Sequence, residues 1–283
     1  MTLLVTGASG YTGSRLARLA LAAGWQVVGT YHRAPGEVSG VDWRQLDVRD
    51  RQAVRALLRT VRPRAVVHAA YARPDWAVNA DGTAYVALAS VEVGARLVHV
   101  SSDAVFAGRA QPYTEADPPE PVYAYGAAKA AAETAVRAIA PDAVLARTSL
   151  IVGDRDSAQH RLVLDLVAGR RGGTLFTDEI RCPIAVDDLA AALLELVDSD
   201  RGGVLHVAGA APVSRYELGR LIAAYHGLDP DRVPAGTIAG SGLPRPARVE
   251  LDCTRAATLL RTRLRGAPEV LPAGGDPVDQ GKV

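Results

Sequence analysis

Three polar side chains near the middle of the chain have the types and spacing of a proton-transfer site. Tyr125 and Lys129 are four residues apart at the start of a predicted helix, so both lie on one face of it. A phenol has a pKa of about 10 and is a poor acid at neutral pH unless a nearby cation stabilises its anion. Ser102, at the end of the preceding predicted strand, provides a hydroxyl for the same substrate oxygen. We therefore predict Ser102, Tyr125 and Lys129 as the catalytic residues of a carbonyl reduction.

Lysine is rare in this chain. Of its 32 Lys and Arg residues, only Lys129 and Lys282 are lysines. A compact ammonium and a planar guanidinium are not interchangeable. The choice of lysine at position 129 therefore favours a specific role over that of a surface cation.

A glycine-rich turn follows the first predicted strand and precedes the first predicted helix. Residues 7–13 have the spacing G-x-x-G-x-x-G. Glycine lets the backbone approach a pyrophosphate and lets the helix pack closely on the strand, while the helix N-terminus offers free N–H donors. We predict cofactor contacts from Gly7, Ser9, Gly10, Tyr11, Thr12 and Gly13.

The ends of the next two predicted strands bear on which dinucleotide binds. Arg33 follows the second strand, where a carboxylate would select NAD and a cation suits the 2′-phosphate of NADP. We therefore predict NADPH, with NADH as the alternative. Asp47 and Val48 are predicted to close the third strand, where the Asp47 carboxylate would accept a hydrogen bond from the adenine amino group.

Short β-rich runs alternate with helical patterns along the first half of the chain. Strands are predicted at residues 3–6, 26–31, 65–69, 97–101 and 143–148, and helices at 14–23, 51–60, 82–93 and 126–139. This alternation predicts an α/β fold with a doubly wound parallel Rossmann sheet. Ligands of such a sheet bind at the carboxyl ends of its strands.

The pattern is looser beyond residue 153, which predicts a smaller, interleaved C-terminal substrate lobe. Helices are predicted at 159–168, 187–197 and 215–225, and a strand at 204–207. We predict a dinucleotide-binding domain over residues 1–153, completed by 184–208, and a substrate-binding lobe over 154–266. Residues 267–283 are rich in Gly and Pro and are predicted to form a flexible tail.

Composition argues against several classes of protein. The net charge is +1 and no cluster of basic residues stands out, so nucleic acid is not an expected partner. Apolar runs are much shorter than the roughly 20 residues of a membrane span, and we expect a cytoplasmic protein that does not associate with membranes. Cys182 and Cys253 have neither paired spacing nor nearby histidines, so we expect two free thiols and no metal site.

These residues resemble the extended short-chain dehydrogenases/reductases, and among them the dTDP-4-dehydrorhamnose reductase group of nucleotide-sugar reductases. The resemblance runs from residue 2 to about residue 260. It is carried by the turn 6–13 and by the strings Leu46-Asp47-Val48, His68-Ala69-Ala70-Tyr71, Val78-Asn79-Ala80-Asp81-Gly82-Thr83, Ser101-Ser102-Asp103-Ala104-Val105-Phe106, Tyr125-Gly126-Ala127-Ala128-Lys129, Arg147-Thr148-Ser149, Cys182-Pro183-Ile184, Asp187-Asp188-Leu189-Ala190, Arg245-Pro246 and Leu251-Asp252.

The resemblance implies further site residues. Ala69, Ala70 and Tyr71 would line the nicotinamide side of the cofactor, and Asn79 would support the active site. A nucleotide-sugar substrate would meet Ser102, Asp103 and Ser149. Arg245 and Arg248 would bind its diphosphate through charge-assisted hydrogen bonds.

The sequence also departs from the group. The segment 72–78 is shorter than the corresponding segment of the rhamnose reductases, which carries acidic residues, and Leu150 stands where the group usually has Trp. Asp103 is followed by Ala104, which disfavours the elimination chemistry of the related dehydratases. An epimerase, a reductase of another small carbonyl and a cofactor-bound regulatory subunit, like that of methionine adenosyltransferase, remain alternatives. A homodimer is a further expectation.

Overall fold

The computed structural model describes residues 1–275, which contain a parallel seven-stranded sheet with helices on both faces. In chain order, the first elements are β1 (Thr2–Thr6), α1 (Tyr11–Ala22), β2 (Gln26–Tyr31), β3 (Asp42–Gln45), α2 (Arg51–Val61), β4 (Ala65–His68), α3 (Gly82–Glu92), β5 (Arg96–Ser102), α4 (Ala124–Ile139) and β6 (Val144–Thr148). A π-helical turn, Ala77–Asp81, precedes α3, and a 3-10 turn, Asp103–Val105, follows β5.

The later half of the chain adds one helix and one strand to the main sheet and forms a separate helix pair. Its elements are β7 (Ile151–Val152), α5 (Ala158–Val167), β8 (Leu175–Phe176), β9 (Ile180–Arg181), β10 (Ile184–Ala185), α6 (Val186–Asp198), β11 (Gly203–His206), β12 (Val213–Ser214), α7 (Arg215–Tyr225), β13 (Ala235–Gly236), α8 (Ile238–Ser241), α9 (Thr254–Leu259) and α10 (Ala267–Val270). Helix α6 packs on α1 and β11 joins the main sheet, whereas α5 and α7 pack on each other.

The sheet has the strand order β3-β2-β1-β4-β5-β6-β11, and every neighbouring pair is parallel. The predicted α/β Rossmann fold is therefore confirmed. Strand β1 lies between β2 and β4, which is the point where the strand order reverses. Parallel α/β sheets bind ligands in the crevice at this point, outside the carboxyl ends of the strands.

Two apolar layers cover the sheet because successive side chains of a strand point to opposite faces. Leu3 and Val5 of β1 pack with Leu16 of α1 and Leu189 of α6 on one face. Leu4 faces the other side, in the cluster formed with α2 and α3. Burial of these aliphatic side chains fixes both helix layers against the strands that carry the site.

A third apolar cluster holds the C-terminal segment in place. It includes Val163 of α5, Leu218 and Ile222 of α7, and Leu271, which is 2% exposed. The prediction of a flexible tail from residue 267 is therefore wrong for 267–271, where α10 forms and where Ala267 and Leu271 are buried in this cluster. Residues 276–283 lie outside the described part of the chain, and the division into two domains stays a prediction.

Two element boundaries near the site differ from the predicted ones. Helix α4 begins at Ala124, two residues early, so Tyr125 lies in its first turn. Strand β3 ends at Gln45, so Asp47 and Val48 follow the strand instead of closing it. Within residues 1–275, no helix combines the length and the apolar character that a membrane crossing needs.

A buried ion pair attaches α4 to the sheet. Arg147 of β6 and Glu133 of α4 both have fully buried side chains. Nε and Nη2 of Arg147 donate to the two Glu133 oxygens at 2.9 and 2.8 Å, and Oγ of Ser101 donates to Oε1 at 2.7 Å. Because α4 also carries Tyr125 and Lys129, this pair fixes the helix that bears the predicted catalytic residues.

We predict that Glu133→Gln lowers the free energy of unfolding by about 3–5 kcal/mol, because it leaves the Arg147 charge buried without a counter-charge. Urea denaturation measures the change. Arg137→Ala is the matched control, since Arg137 is a partly exposed partner of the same carboxylate at 2.8 Å. Its loss is expected to cost about 0.5 kcal/mol. Equal effects of the two substitutions would contradict this view of the pair.

Candidate active site

The glycine-rich turn after β1 has no room for side chains at two positions. Gly7 has a φ of +67°, and a Cβ there would lie 2.8 Å from the Cα of Ala70. A Cβ at Gly13 would lie 2.7 Å from the Cα of Ala8 and would overlap the carbonyl oxygen of Gly7. Glycine at both positions lets β1, α1 and the end of β4 approach one another closely.

The N-terminus of α1 is open toward this turn. In the described residues no side chain caps it, and its N-cap is Gly10. Helix α2, in contrast, is capped by Asp50, which accepts from the backbone N–H groups of Gln52 and Ala53. Free N–H groups and the positive end of the helix dipole form an anion site. The turn therefore fits the pyrophosphate of a dinucleotide.

A cleft of about 710 Å³ runs along the carboxyl ends of the strands, from the glycine turn to Tyr125. Most predicted cofactor residues line it: Gly7, Ser9, Gly10, Tyr11, Thr12, Gly13, Arg33, Asp47, Val48, Ala69, Ala70, Tyr71, Tyr125 and Lys129. Thr148 also lines it, and its buried hydroxyl lacks a hydrogen-bond partner within residues 1–275. That hydroxyl is available to a bound ligand.

Tyr125 lies at the start of a chain of polar contacts. It shares a hydrogen bond with Ser102, whose Oγ lies 3.2 Å from Oδ1 of Asp103. Oγ of Ser149 donates to the other Asp103 oxygen at 2.7 Å. Asp103 also lies 3.7 Å from Arg181, so its carboxylate is held from three sides. The predicted residues Ser102, Asp103 and Ser149 are therefore brought together beside Tyr125.

Lys129 is buried one helical turn below Tyr125, but its ammonium is engaged elsewhere. Nζ donates to the carbonyl oxygen of Val100 at 2.7 Å and lies 3.2 Å from Nε2 of His99. Burial lowers the Lys129 pKa to about 8, against the opposing influence of Glu133. Burial also raises the pKa of Tyr125, and the group that lowers that pKa most is Arg73. The prediction that Lys129 is the main cation acting on the phenol is therefore not supported.

Some of the residues at the end of the cleft predicted for adenine form ion pairs with one another. Both oxygens of Asp47 accept from Arg49, at 2.9 Å from Nε and 2.7 Å from Nη2, which lowers the Asp47 pKa to about 2. His32 lies 3.6 Å from the same carboxylate. Arg33 is exposed at the edge of the cleft, where its guanidinium can reach a ligand.

Asn79 is buried and binds the loop before it. Its side-chain oxygen accepts from the Ala72 N–H at 3.2 Å, and Nδ2 donates to the carbonyl oxygens of Ala72 and Asp75, the latter at 2.7 Å. Asn79 does not line the cleft that the structure describes. It therefore supports the site through the loop and not through a cleft-lining position.

The two arginines predicted for substrate binding lie apart from the cleft lining. Arg248 pairs with Glu250. Arg245 lies 3.8 Å from Glu179, which Arg181 also approaches at 3.2 Å. Arg245 is thus part of an arginine group near Asp103, whereas the charge of Arg248 is matched by its own neighbour.

Several site residues have no clear sequence signal. Arg73 lies in an irregular loop, and its guanidinium carbon is 4.3 Å from the centroid of the Tyr125 ring. Gln159 and Arg161 of α5 also line the cleft. His99 precedes Ser101-Ser102 in an ordinary strand, so only the three-dimensional contact with Lys129 reveals it. Thr148 alone had a signal, as part of the string Arg147-Thr148-Ser149.

Comparison with known proteins agrees with this geometry. The model of the family described as "RmlD substrate binding domain" matches residues 1–272. A dTDP-4-dehydrorhamnose reductase of Mycolicibacterium smegmatis is 33% identical, and the match covers 95% of this chain and 83% of that protein.

Solved structures give the same result. A hypothetical dTDP-4-dehydrorhamnose reductase from Sulfolobus tokodaii superposes with a TM-score of 0.80 at 30% identity, covering 94% of this chain and 97% of that one. A dTDP-4-dehydrorhamnose reductase from Bacillus anthracis, in complex with NADP, has a TM-score of 0.80 at 25% identity, with coverages of 95% and 96%.

We predict that Gly13→Ala destabilises the fold and abolishes dinucleotide binding. Alanine favours a helix over glycine by about 1 kcal/mol, but overpacking against rigid backbone costs about 1–3 kcal/mol. Urea denaturation and a titration with NADPH measure the two effects. Gly172→Ala is the control, because a Cβ there meets nothing within 4 Å. Unchanged NADPH binding by the Gly13 variant would mean that the close approach is not needed.

Proposed function

Because the chain belongs to the RmlD substrate binding domain family, we propose that it reduces the keto group of a nucleotide-linked deoxysugar with NADPH. The substrate class follows the relatives, which include dTDP-4-dehydrorhamnose reductases at about one-third identity. The observation that carries the proposal is one cleft that joins an open helix N-terminus to a half-buried tyrosine.

The cofactor residues divide along this cleft. The glycine turn would bind the pyrophosphate, Arg33 the 2′-phosphate, and Asp47 and Val48 the adenine. Ala69, Ala70 and Tyr71, which follow β4, would line the nicotinamide, and Lys129 and Thr148 line the same cleft. The exposed cation at Arg33 supports NADPH, with NADH as the alternative.

When bound in this cleft, NADPH would supply a hydride to the carbonyl carbon. Tyr125 gives its phenolic proton to the carbonyl oxygen, so the C=O bond becomes an alcohol and Tyr125 is left as a phenolate. The hydroxyl of Ser102 holds that oxygen in place, and Asp103, fixed by Ser149 and Arg181, orients Ser102.

An excess of positive charge supports an anionic substrate. Arg181 and Arg245 lie near the Glu179 carboxylate, and Arg215 donates its backbone N–H to the Glu179 carbonyl at 2.9 Å. Burial lowers the Arg215 pKa to about 10, and Arg181, Arg245 and Arg73 lower it further, against the opposing influence of Glu179. A diphosphate would relieve this repulsion through charge-assisted hydrogen bonds. We propose Arg245, more than Arg248, as a substrate contact.

An epimerase would use the same tyrosine, and a regulatory subunit would bind the cofactor without turnover. The complete Ser102, Tyr125 and Lys129 set supports chemistry. A homodimer and a cytoplasmic location stay predictions from the sequence.

We expect Arg33→Ala to weaken NADPH binding by about 10- to 100-fold, which corresponds to the roughly 1.5–3 kcal/mol of a hydrogen bond to a charged group. NADH, which lacks the 2′-phosphate, should bind equally well to wild type and variant. Fluorescence titration gives both dissociation constants. Arg44→Ala is the control, because Arg44 is an exposed arginine of β3 that pairs with Asp42. An unchanged ratio of the two constants would exclude Arg33 as the phosphate contact.

We expect Tyr125→Phe to lower kcat for a dTDP-4-keto-6-deoxysugar by about 10²- to 10⁴-fold, as the loss of a positioned acid does. The ring still fills its site, so the NADPH dissociation constant and the free energy of unfolding should stay within error of wild type. Tyr216→Phe, which removes a hydroxyl bound by Arg220, is the control and should turn over normally.

Stopped-flow and steady-state assays of NADPH oxidation test this prediction. A wild-type protein that binds NADPH but reduces neither keto sugars nor simple carbonyls would overturn the catalytic proposal and favour the regulatory alternative.

A further inference from the structure

The loop that follows β4 places a second cation on the catalytic tyrosine. The guanidinium carbon of Arg73 lies 4.3 Å from the centroid of the Tyr125 ring. Tyr71 packs edge-on against the same ring at 6.5 Å, and Tyr123 stacks at 6.4 Å. Arg73 thus covers one face of the Tyr125 ring, and two further tyrosines pack against the same ring.

The loop is anchored on both sides of Arg73. Asn79 binds the backbone of Ala72 in both directions, and it binds the carbonyl of Asp75. Oδ1 of Asp75 in turn accepts the Val78 N–H at 3.0 Å. The buried Asn79 amide therefore fixes the backbone before and after Arg73. The fixed backbone restricts where the guanidinium can lie, in addition to the rotamer of the side chain.

The two cations near Tyr125 are Lys129 and Arg73, and they differ in their contacts and in their pKa. Nζ of Lys129 contacts the Val100 carbonyl oxygen and the His99 ring, and burial lowers the Lys129 pKa to about 8. Arg73 stays charged at any working pH, because a guanidinium does not deprotonate in proteins and the phenols of Tyr125, Tyr123 and Tyr71 raise its pKa further against the effect of burial.

We propose that Arg73 acts through Tyr125, by stabilising the phenolate that forms when the phenol gives its proton to the substrate. This inference rests on the proposed reductase function. A cation over an aromatic face is attracted weakly to a neutral ring and strongly to an anionic one. Arg73 therefore favours the state after proton transfer more than the state before it, which is the condition for an effect on kcat.

Other groups also face Tyr125 and bear on its ionisation. The Asp103 carboxylate and the Tyr71 phenol raise its pKa, whereas Arg73 and the hydrogen bond with Ser102 lower it. Tyr123 and Lys129 complete the titratable neighbours on α4 and its N-cap. Of the groups that favour ionisation of Tyr125, Arg73 lowers the Tyr125 pKa most, so removing Arg73 should raise that pKa.

The first test compares Arg73→Gln and Arg73→Lys with wild type. We expect Arg73→Gln to lower kcat about 10-fold with little change in KM for the keto sugar, and Arg73→Lys to restore much of the loss because it retains a charge. Arg109→Gln is the matched control. Arg109 lies over the Tyr113 ring at 4.1 Å, so this variant removes an equivalent cation–aromatic pair away from the cleft and should have wild-type kcat.

A double variant separates this role from substrate binding. In the Tyr125→Phe background no phenolate forms, so Arg73→Gln should cause no further loss of the residual kcat. If Arg73 instead contacts the substrate anion, Arg73→Gln raises KM in both backgrounds, and the proposal is wrong. A further loss of kcat in the Phe background also overturns it.

A direct measurement does not depend on turnover. In protein labelled with ¹³Cζ-tyrosine, the resonance absent from Tyr125→Phe reports the ionisation of this phenol. We expect its titration to move to higher pH by about half a unit or more in Arg73→Gln and to stay unchanged in Arg109→Gln. No shift would overturn the Arg73 proposal even if the reductase activity is present. A shift in a protein without reductase activity would overturn the proposed function and leave the electrostatic contact standing.

Discussion

The close approach of the first strand, the first helix and the end of β4 is the constraint on which the site depends. It exists because Gly7 adopts a positive φ against Ala70 and because Gly13 packs on the Gly7 carbonyl. The same helix reaches the second half of the chain. The Tyr11 hydroxyl accepts the Asp154 N–H at 3.0 Å, and Arg15 pairs with Asp154. The glycine-rich turn and helix α1 therefore position the anion site, and contacts of the same helix hold the start of the segment that follows β7.

Helix α4 is also held in a fixed position against the sheet, in this case by polar contacts. Tyr125, Lys129 and Glu133 are spaced at i, i+4 and i+8, so they form one stripe that faces the sheet. Lys129 binds the backbone of β5, and Glu133 binds Ser101 and Arg147 on two adjacent strands. Burying these charges is costly unless each has a partner, so the register of the helix is specified more tightly than apolar packing alone would do. The position of Tyr125 follows from that register.

Sequence reasoning succeeds where function depends on local pattern. The alternation of strands and helices, the glycine turn and the Tyr125–Lys129 spacing are each contained in a short segment, and the fold and the cleft lining agree with them. It fails where a contact joins segments without periodicity. The contacts of Lys129 join α4 to β5, and the contact of the Arg73 guanidinium joins the loop after β4 to Tyr125. Ala267 and Leu271 are buried in a segment whose Gly- and Pro-rich composition predicts a flexible tail.

One of these failures, the position of Arg73, lies in a part of the molecule where specificity can change without loss of the fold. The strand ends and α4 are held by buried pairs, but the loop 72–78 is held through the amide of Asn79, which binds backbone atoms and so tolerates other side chains. Residues at positions 73 and 76 are exposed and can vary while the loop keeps its path. The loop 72–78 of this chain brings an arginine onto the tyrosine. A change of charge at this position alters the electrostatics of proton transfer directly, because the guanidinium contacts the reacting ring. Divergence of this loop therefore changes the chemistry of the site as well as the shape of its pocket.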